Sequence, residues 1–349
     1  MDDLNVLLVS EWDRRTGSLR RGPMLRLTNA PPEVNYQVIG RSSLFEAPAN
    51  YTGLSMLSAA KYALRQLVRF LSSPIGEGYD LVHSFFIDLS RYSPPWIHES
   101  DQSIGQYLKG YFSFPEGLVR LLVRPLVERL NSDSCKAVIT WSMWAARGFA
   151  EDGVDKAKVY VIPPPMNVKA RAPHSGVNVL LIARDPYRKG VDLALRSFIK
   201  LAKYYDDVRL TLVGTALSDD VKLSLRGRVV DYERVSEPLL HNVIMPATDI
   251  VLAPSRAEAY NLTVLEAMAH GAVPVVTDVG GMPELVKDGG LIVRADNEDE
   301  LYDALEELAS DQELRSKLSA RATEIVNEEH DPESIGLRLY KVYRASLEG

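Results

Sequence analysis

Short, nearly continuous runs of Val, Ile and Leu recur along the whole chain, and longer amphipathic segments separate them. Such runs are typical of strands that are buried on both faces in a parallel sheet flanked by helices. The runs are Asn5–Ser10, Asp80–Ser84, Ala137–Thr140, Val159–Ile162, Val177–Ile182, Val208–Val213, Ile250–Leu252 and Val273–Thr277. The segments with helical periodicity are Leu57–Leu71, Val191–Tyr205, Leu262–His270 and Glu298–Ser310. This alternation predicts an α/β fold.

The chain has 349 residues, which is more than one hydrophobic core usually serves, so two domains are expected. The segment Pro163–Gly176 is rich in Pro and small polar residues and lies between two predicted strands, so it predicts the domain boundary. We place the first domain at residues 1–168 and the second at residues 169–330. A last helix is predicted from Ser334 to about Ser346.

The composition is that of an ordinary globular protein, with 46% apolar and 25% charged residues. No apolar stretch approaches the length that spans a bilayer, and the first residues lack the basic segment of a signal peptide. One cysteine, Cys135, excludes an internal disulfide and fits a reducing compartment, so a cytoplasmic location is expected. The first strand does not lead into a Gly-x-Gly-x-x-Gly turn, which disfavours a dinucleotide-binding dehydrogenase and a general nucleotide-binding module.

Metal and charge patterns add two expectations. No Cys/His cluster has zinc-ligand spacing, and no Asp-x-Asp motif is present, so no metal site is predicted. The net charge of −7 combines +3 over residues 1–172 (20 basic, 17 acidic) with −10 over residues 173–349 (20 basic, 30 acidic). An anionic partner of the first half and chance surface variation explain this asymmetry equally well.

Basic residues of the first half form three clusters. Each cluster, taken alone, is more typical of a solvated loop or an ordinary amphipathic helix than of a binding site, although such helices can also rest on a membrane surface. The clusters are Arg14, Arg15, Arg20 and Arg21 around Gly17, the helical stripe Lys61, Arg65 and Arg69, and the pair Arg120 and Arg124.

Two carboxylates, Glu258 and Glu266, are separated by seven residues, and a helix is predicted to start between them near Asn261. The backbone N–H groups of Leu262 and Thr263 would then point out of the helix N-terminus, which is a ready site for phosphate. The segment thus offers phosphate donors, a carboxylate for ribose hydroxyls and a second carboxylate for a sugar. For the bare spacing, an acidic pair on an ordinary helix remains the simpler interpretation.

Arg184 and Lys189 lie in one loop between the first strand of the second half and the helix that follows. Two cations at this spacing can converge on a diphosphate. A solvated basic turn is the simpler interpretation of this loop alone.

The stretch from Pro254 to Glu284 resembles glycosyltransferase family 4 and its relatives of the GT-B fold. The matching residues are Pro254, Ser255, Glu258, Glu266 to Ala269, Gly271, Pro274, Gly280, Gly281, Pro283 and Glu284, followed by Asp288 and Gly289. The resemblance implies two Rossmann-like domains that face each other across a cleft. It also implies that Glu266 holds the ribose hydroxyls, that Glu258 lies beside the transferred sugar, and that Arg184 and Lys189 grip the donor diphosphate. The family usually has Gly where this chain has Ala183.

The first half resembles the family less, and the resemblance is specific only over about residues 178–310. Gly17 matches one glycine of a Gly-rich loop that usually has two, and His98 matches a family histidine that would hold a hydroxyl or carbonyl of the sugar. In the relatives the last helix returns to the first domain, so residues 331–349 are assigned to it. Acceptor recognition belongs to this half.

The resemblance implies a retaining glycosyltransferase that uses a nucleotide-diphosphate sugar, with no metal and no cofactor besides the donor. Front-face substitution is favoured for the family, with charge on the leaving diphosphate stabilised by Arg184, Lys189 and a helix N-terminus. An anionic acceptor, either a sugar phosphate or a lipid-linked one, and peripheral contact with the inner face of the membrane follow from the basic clusters. No nucleic-acid partner is expected.

Two alternatives remain within the fold. One is a sugar-nucleotide epimerase or a phosphorylase-like enzyme, which product analysis with donor alone would distinguish. The other is a non-catalytic GT-B scaffold subunit, against which the intact set Arg184, Lys189, Glu258 and Glu266 argues. The base of the donor is expected to bind near residues 231–237.

Overall fold

The computed structural model describes residues 3–13, 18–42, 72–86, 90–225 and 227–348. The chain divides into two compact units: unit 1 comprises Met1–Pro165 and Pro332–Gly349, and unit 2 comprises Met166–Asp331. Both contain a largely parallel sheet with helices, so the predicted α/β class is confirmed. The predicted helix Leu57–Leu71 lies outside the described residues.

Within the described residues, unit 1 contains a seven-stranded sheet. The strands are β1 Leu4–Asp13, β2 Ser18–Leu19, β3 Val34–Ser42, β4 Leu81–Phe85, β5 Trp96–Glu99, β6 Cys135–Thr140 and β7 Val159–Val161. β1 pairs in parallel with β3 and with β4, and the order continues through β5 and β6 to β7. The short β2 pairs antiparallel with the end of β1. All residues of β4 and β5 are buried, as expected for central parallel strands.

In the part of unit 1 that the structure describes, four helices precede the boundary: α1 Arg21–Thr28, α2 Ile104–Phe112, α3 Glu116–Leu130 and α4 Met143–Asp152.

The described residues of unit 2 form a six-stranded sheet that is parallel throughout, in the order β10-β9-β8-β11-β12-β13. The strands are β8 Val177–Ile182, β9 Val208–Val213, β10 Val229–Tyr232, β11 Ile250–Ala253, β12 Val273–Thr277 and β13 Leu291–Val293. The helices are α5 Val191–Leu201, α6 Asp219–Ser224, α7 Leu262–Ala269, α8 Met282–Val286, α9 Glu298–Ser310 and α10 Gln312–Glu329. A short helical segment, Glu237–Leu239, leads into the π-helical turn Leu240–Ile244.

The last helix, α11 Pro332–Glu348, belongs to unit 1 although the chain passes through all of unit 2 first. Its buried face carries Ile335, Leu339 and Tyr343, which join the core formed by β1, β4, β5 and β6. Pro332 suits the first helical position, because the missing N–H would have no helical partner there. Unit 1 is therefore formed from two segments that are separated in the sequence by all of unit 2.

The strand order of unit 2 places its topological switch point between β8 and β11. The chain runs from β8 outward to β9 and β10, then returns to the other side of β8 with β11. In open parallel sheets, ligands bind in the crevice outside the carboxyl ends of the two strands at this point. The loops after β8 and β11 are the ones that carry Lys189 and Glu258.

Candidate functional site

Two loops of unit 2, residues 183–190 after β8 and residues 254–261 after β11, are fixed against each other. The backbone N–H of Arg256 donates to the carbonyl of Arg188 at 2.7 Å. Gly190 has a φ of +66°, and a Cβ there would lie 2.1 Å from the carbonyl oxygen of Pro254. Only glycine combines this backbone conformation with so close an approach, so the two loops form one surface.

Lys189 and Glu258 form an ion pair between these loops, from the Lys189 Nζ to the Glu258 Oε2. The other carboxylate oxygen, Oε1, accepts from the backbone N–H of Ala259 at 3.2 Å. Behind Glu258 lies Gly280, whose φ is +65° and whose Cβ would stand 1.9 Å from the Glu258 carbonyl oxygen. The carboxylate is therefore held from the backbone side and from the lysine side.

Arg188 provides a second cation beside the same carboxylate. Its Nη1 lies 3.6 Å from the Glu258 Oε2 and donates to the carbonyl of Ala257 at 2.8 Å. Its Nε donates to Asp185 Oδ2 at 3.3 Å, and its backbone N–H donates to Asp185 Oδ1 at the same distance. Asp185 thus orients Arg188 toward the loop that carries Glu258.

The pKa values of this cluster shift for identifiable reasons. Burial alone would raise the pKa of Glu258, but the charges of Lys189 and Arg188 reverse this and hold it below its usual value. The pKa of the Lys189 amine is lowered by burial, with the charge of Arg188 acting in the same direction and that of Glu258 acting against it. The cluster therefore presents an ionised carboxylate and a desolvated amine side by side.

The start of α7 has the geometry expected of an anion site. Asn261 precedes the helix in the left-handed region, with φ +71°, and its side chain does not cap the first turn. The N–H groups of Leu262 and Thr263 open this helix as predicted, and Glu266 is buried one turn further on, at 5% exposure. A helix start without a side-chain cap leaves its first N–H groups available to an anion. Arg184 lies exposed in the neighbouring loop.

Arg256 fastens the outer side of the same surface. Its guanidinium donates to both carboxylate oxygens of Asp192, at 2.8 and 2.9 Å, and to Asp296 at 2.7 Å. It also donates to the carbonyl of Tyr187 at 2.6 Å and lies 4.2 Å from that ring's centre. These contacts join the loop after β11 to the first turn of α5 and to the loop before α9.

The predicted site residues of unit 1 occupy different settings. Gly17 lies outside the described residues, and so do Arg14 and Arg15. His98 lies within β5, between β4 and β6 in the sheet, and is buried with its ring edge-on to Phe149.

A buried ionic cluster lies next to His98 in unit 1. Glu99 is fully buried and accepts three hydrogen bonds of 3.0 to 3.2 Å from the guanidinium of Arg26. The indole N–H of Trp141 donates to the same carboxylate at 2.6 Å, and His83 Nε2 lies 3.0 Å from it. Although burial alone would raise it, Arg26 and His83 hold the pKa of Glu99 at about 2.

The cluster extends to the last helix of the chain. The hydroxyl of Tyr343 lies 2.6 Å from His83 Nδ1 and 2.6 Å from the hydroxyl of Tyr36. Arg26 also donates to the carbonyls of Ile162 and Pro163, at 2.8 and 3.1 Å. This cluster fastens α11, α1 and the end of unit 1 to the central strands.

Sequence reasoning missed the partners rather than the principal residues. Arg188 directly precedes Lys189, and a basic pair in a loop at the end of a strand could have suggested a second cation there. Arg256 lies within the matching stretch, but its partners Asp192 and Asp296 are 64 and 40 residues away, and no local signal connects them. The same holds for Arg26 and Glu99, which are 73 residues apart.

Two absences hold for the residues that the structure describes. None of their helices combines the length and the apolar character needed to cross a membrane. They contain no group of three or more His, Cys, Asp or Glu side chains placed to hold a metal ion.

Comparison with known proteins follows the same division of the chain. Residues 176–311 match the family described as Glycosyl transferases group 1. Phosphatidyl-myo-inositol mannosyltransferase of Mycolicibacterium smegmatis is 29% identical over 184 residues, which are 49% of this chain and 46% of that protein. The chain spans about half the length of the curated relatives it matches.

Two solved structures resemble nearly the whole chain. Sucrose-phosphate synthase of Thermosynechococcus elongatus has a TM-score of 0.70 at 16% identity, and the alignment covers 98% of each chain. HepE of Anabaena, in complex with UDP-glucose, has a TM-score of 0.69 at 17% identity, covering 98% of this chain and 100% of that one. Likeness at this identity shows the fold alone, and it confirms the predicted fold class.

Proposed function

We propose that this chain, whose residues 176–311 match the group 1 glycosyltransferases and whose fold is that of GT-B enzymes, transfers a sugar from a nucleotide-diphosphate donor to a separate acceptor. The observation that carries the proposal is the Lys189–Glu258 pair at the switch point of unit 2. This pair lies beside the start of α7 and inside the segment that matches the family. UDP-glucose bound to the similar HepE supports a donor of this class.

The cationic groups at the switch point suit a diphosphate leaving group. Lys189 and Arg184 would contact its oxygens, and the N–H groups of Leu262 and Thr263 would add the positive end of α7. Negative charge grows on the diphosphate as the sugar departs, so fixed positive groups stabilise the transition state more than the ground state. We propose that these groups suffice without a metal ion.

The two carboxylates would divide the remaining contacts. Glu266, buried in α7, would accept hydrogen bonds from the ribose hydroxyls, and Glu258 would accept one from the transferred sugar. His98 would hold a hydroxyl or carbonyl of the sugar from unit 1, and Gly17 would allow close approach to the donor. Retention of the anomeric configuration, with substitution on the front face, is part of the proposal.

Calorimetry of nucleotide binding tests the donor site. A thermal-shift screen of UDP, GDP and ADP first selects the base, since a ligand that binds only the folded state raises the melting temperature. Lys189→Ala, Arg184→Ala and Glu266→Ala should then each weaken binding by about 1.5–3 kcal/mol, or about 10- to 150-fold in Kd. Lys203→Ala, at an exposed position on the surface of unit 2, is the matched control. Wild-type affinity in all three variants would refute the site.

Product analysis tests the reaction itself. With donor and acceptor present, NMR of the product should show the anomeric configuration of the donor. Conversion of the donor without an acceptor to a different sugar nucleotide would instead identify an epimerase. Binding without any turnover, across a panel of acceptors, would favour a non-catalytic scaffold.

The acceptor is proposed to carry phosphate, as a sugar phosphate or a lipid-linked group. The M. smegmatis relative is named for an acceptor that contains phosphate, and the first half of this chain is basic. In unit 1, Arg20 lies near the end of β1, where it pairs with Glu11 at 2.9 Å and stacks 5.0 Å from the ring centre of Phe86. An arginine fork suits phosphate because it donates two parallel hydrogen bonds.

When a charged acceptor competes with a neutral acceptor that contains the same sugar, the charged one should be turned over faster. Replacing Arg20 and Arg21 together by Gln should raise the acceptor KM and leave nucleotide affinity unchanged. Equal turnover of both acceptors, insensitive to salt, would contradict an anionic acceptor.

Peripheral contact with the inner membrane face is a separate proposal. It rests on the basic stripe Lys61, Arg65 and Arg69, which lies outside the described residues. Flotation with anionic and neutral liposomes tests it.

A further inference from the structure

Glu258 has little contact with solvent and depends on its neighbours for charge balance. Its side chain is 10% exposed, and that of Lys189 is 15% exposed. The proposed function gives Lys189 a second task, which is to contact the diphosphate of the donor. A lysine amine that turns toward two phosphates no longer neutralises the carboxylate fully, and a buried carboxylate without a counterion takes up a proton or becomes costly.

Arg188 is placed to keep Glu258 neutralised when the Lys189 amine turns toward the phosphates. Its guanidinium lies 3.6 Å from Glu258 and remains tied to Asp185 and to the carbonyl of Ala257. These contacts hold Arg188 at the base of the loop, whereas the flexible stem of Lys189 leaves its amine free to change partner. The guanidinium is also always charged, so its effect on Glu258 does not vary with pH.

We propose that Arg188 is a positioning residue that keeps Glu258 ionised and oriented toward the sugar while Lys189 is engaged by the diphosphate. The proposal rests on the proposed function for the nature of the donor. An ionised carboxylate accepts hydrogen bonds through both oxygens, whereas a protonated one must donate through one of them, so the charge of Glu258 determines which sugar hydroxyls it can hold.

Among the residues that the structure describes, the charged groups beside Glu258 come from the loop after β8. Lys189 and Arg188 lower the pKa of the carboxyl, and Asp185 acts on it through Arg188. On the opposite side, Gly280 and Gly281 bring backbone alone against the loop after β11, with the N–H of Gly281 donating to Ala259 at 2.6 Å. Arg188 is therefore the cation beside Glu258 that the proposal does not assign to the donor.

Carbon-13 NMR of the whole chain, labelled at the Glu side-chain carboxyl carbon, measures the pKa of Glu258 and so tests the proposal. Loss of one resonance in Glu258→Gln assigns the signal. Arg188→Gln should raise the pKa of Glu258 by about one, a tenfold change in its acidity constant. The rise should be larger with inorganic pyrophosphate bound, because Lys189 is then engaged. Arg196→Gln, on the exposed surface of α5 with partners Asp192 and Glu298, is the matched control and should leave the signal unchanged.

Two further measurements remain informative if Arg188→Gln fails to fold. Arg188→Lys keeps the charge, so the pKa of Glu258 should stay close to that of the wild type, whereas equal effects of Lys and Gln would indicate a merely structural role. In the wild-type chain saturated with pyrophosphate, Glu258 should remain ionised at pH 7. Proton uptake there, or an unchanged pKa in Arg188→Gln with pyrophosphate bound, overturns the proposal.

Kinetics provides the second readout. In Arg188→Gln the acidic limb of the pH profile of kcat/KM should move to higher pH, since the carboxylate form of Glu258 is the competent one. The affinity for the free nucleoside diphosphate should change less than the KM for its sugar. The NMR results stand whether or not any sugar is transferred, so failure of the proposed function and failure of this inference are distinguishable.

Discussion

The buried pair of Arg26 and Glu99 should dominate the stability of unit 1. Replacing Arg26 by Met keeps much of the side-chain volume but removes the cation that donates three hydrogen bonds to Glu99. The carboxylate would be left with Trp141 and with His83, whose pKa is lowered by burial. A buried charge without a counterion is strongly unfavourable.

The magnitude follows from two independent lines. Removal of one partner of a buried ion pair typically costs about 3–5 kcal/mol. The pKa of Glu99 falls from 4.5 to about 2 in the folded chain. At about 1.4 kcal/mol for each tenfold change in acidity, that difference corresponds to about 3 kcal/mol. Both lines favour a loss of about 3 kcal/mol or more in the free energy of unfolding of unit 1.

The pH dependence has a definite sign. Because the folded-state pKa of Glu99 is depressed, its stabilisation is complete well above the unfolded value of 4.5 and is lost as the pH falls toward about 2. In Arg26→Met the carboxyl should titrate above its usual range. The variant should therefore differ most from the wild type near neutral pH and differ less in acid.

Urea unfolding followed by tryptophan fluorescence reads unit 1 separately. All four tryptophans, at positions 12, 96, 141 and 144, lie in unit 1, so the signal excludes unit 2. A double-mutant cycle of Arg26→Met and Glu99→Gln should give a coupling energy of about 3 kcal/mol, the double variant losing less than the sum of the singles. Arg124→Met, which breaks an exposed pair with Glu128, is the control and should have no measurable effect. A coupling energy below about 0.5 kcal/mol would refute the reasoning.

Three further outcomes are expected. Gly280→Ala should raise the donor KM and destabilise unit 2 by about 1–3 kcal/mol, because the new Cβ would meet the carbonyl of Glu258. Gly227→Ala is the control: its φ is +77° but the space around it is open, so the donor KM should not change. Equal KM values for the two variants would count against this account. Tyr343→Phe should cost about 1–3 kcal/mol in urea unfolding, since it removes the contacts to His83 and Tyr36, and a wild-type midpoint would contradict it. Transfer activity should persist in EDTA, and loss that Mg²⁺ or Mn²⁺ restores would overturn the metal-free proposal.

The parallel core was predictable because its pattern is local. The runs at Val177–Ile182 and Val208–Val213 match the observed β8 and β9, and the helix start at Asn261 is confirmed. Central parallel strands are apolar on both faces, so they stand out from the neighbouring sequence without knowledge of their partners. The helix Glu298–Ser310 was likewise predictable from its local periodicity, and its capping residue Asn297 accepts a hydrogen bond from the backbone N–H of Glu300.

The elements that were missed lack this local signal. β3, Val34–Ser42, mixes polar and apolar positions, and Val38 and Ile39 remain more than a third exposed. β5 is four residues long and ends in His98 and Glu99, which a sequence pattern treats as surface residues. Their burial depends on Arg26 and other groups far along the chain, and such compensation is visible only in three dimensions.

The site could be predicted in its residues but not in its arrangement. The family resemblance predicted Lys189 and Glu258 as separate contacts, the first to the diphosphate and the second to the transferred sugar. Their direct pairing, and the position of Arg188 beside them, depend on the backbone approach that Gly190 and Gly280 permit. Sequence spacing does not specify which of two neighbouring cations lies closer to a carboxylate on another loop.

The late arrival of α11 in unit 1 has a consequence for synthesis. The hydroxyl of Tyr343 contacts His83 across 260 residues, and the whole of unit 2 is translated between them. Domains generally fold as units during translation, so unit 2 can become compact while the earlier segment still waits for its last helix. During that interval, the apolar surface that α11 later covers stays open to water and to other nascent chains. Slow translation or early termination within Pro332–Glu348 would thus expose the N-terminal unit to aggregation and leave its neighbour intact.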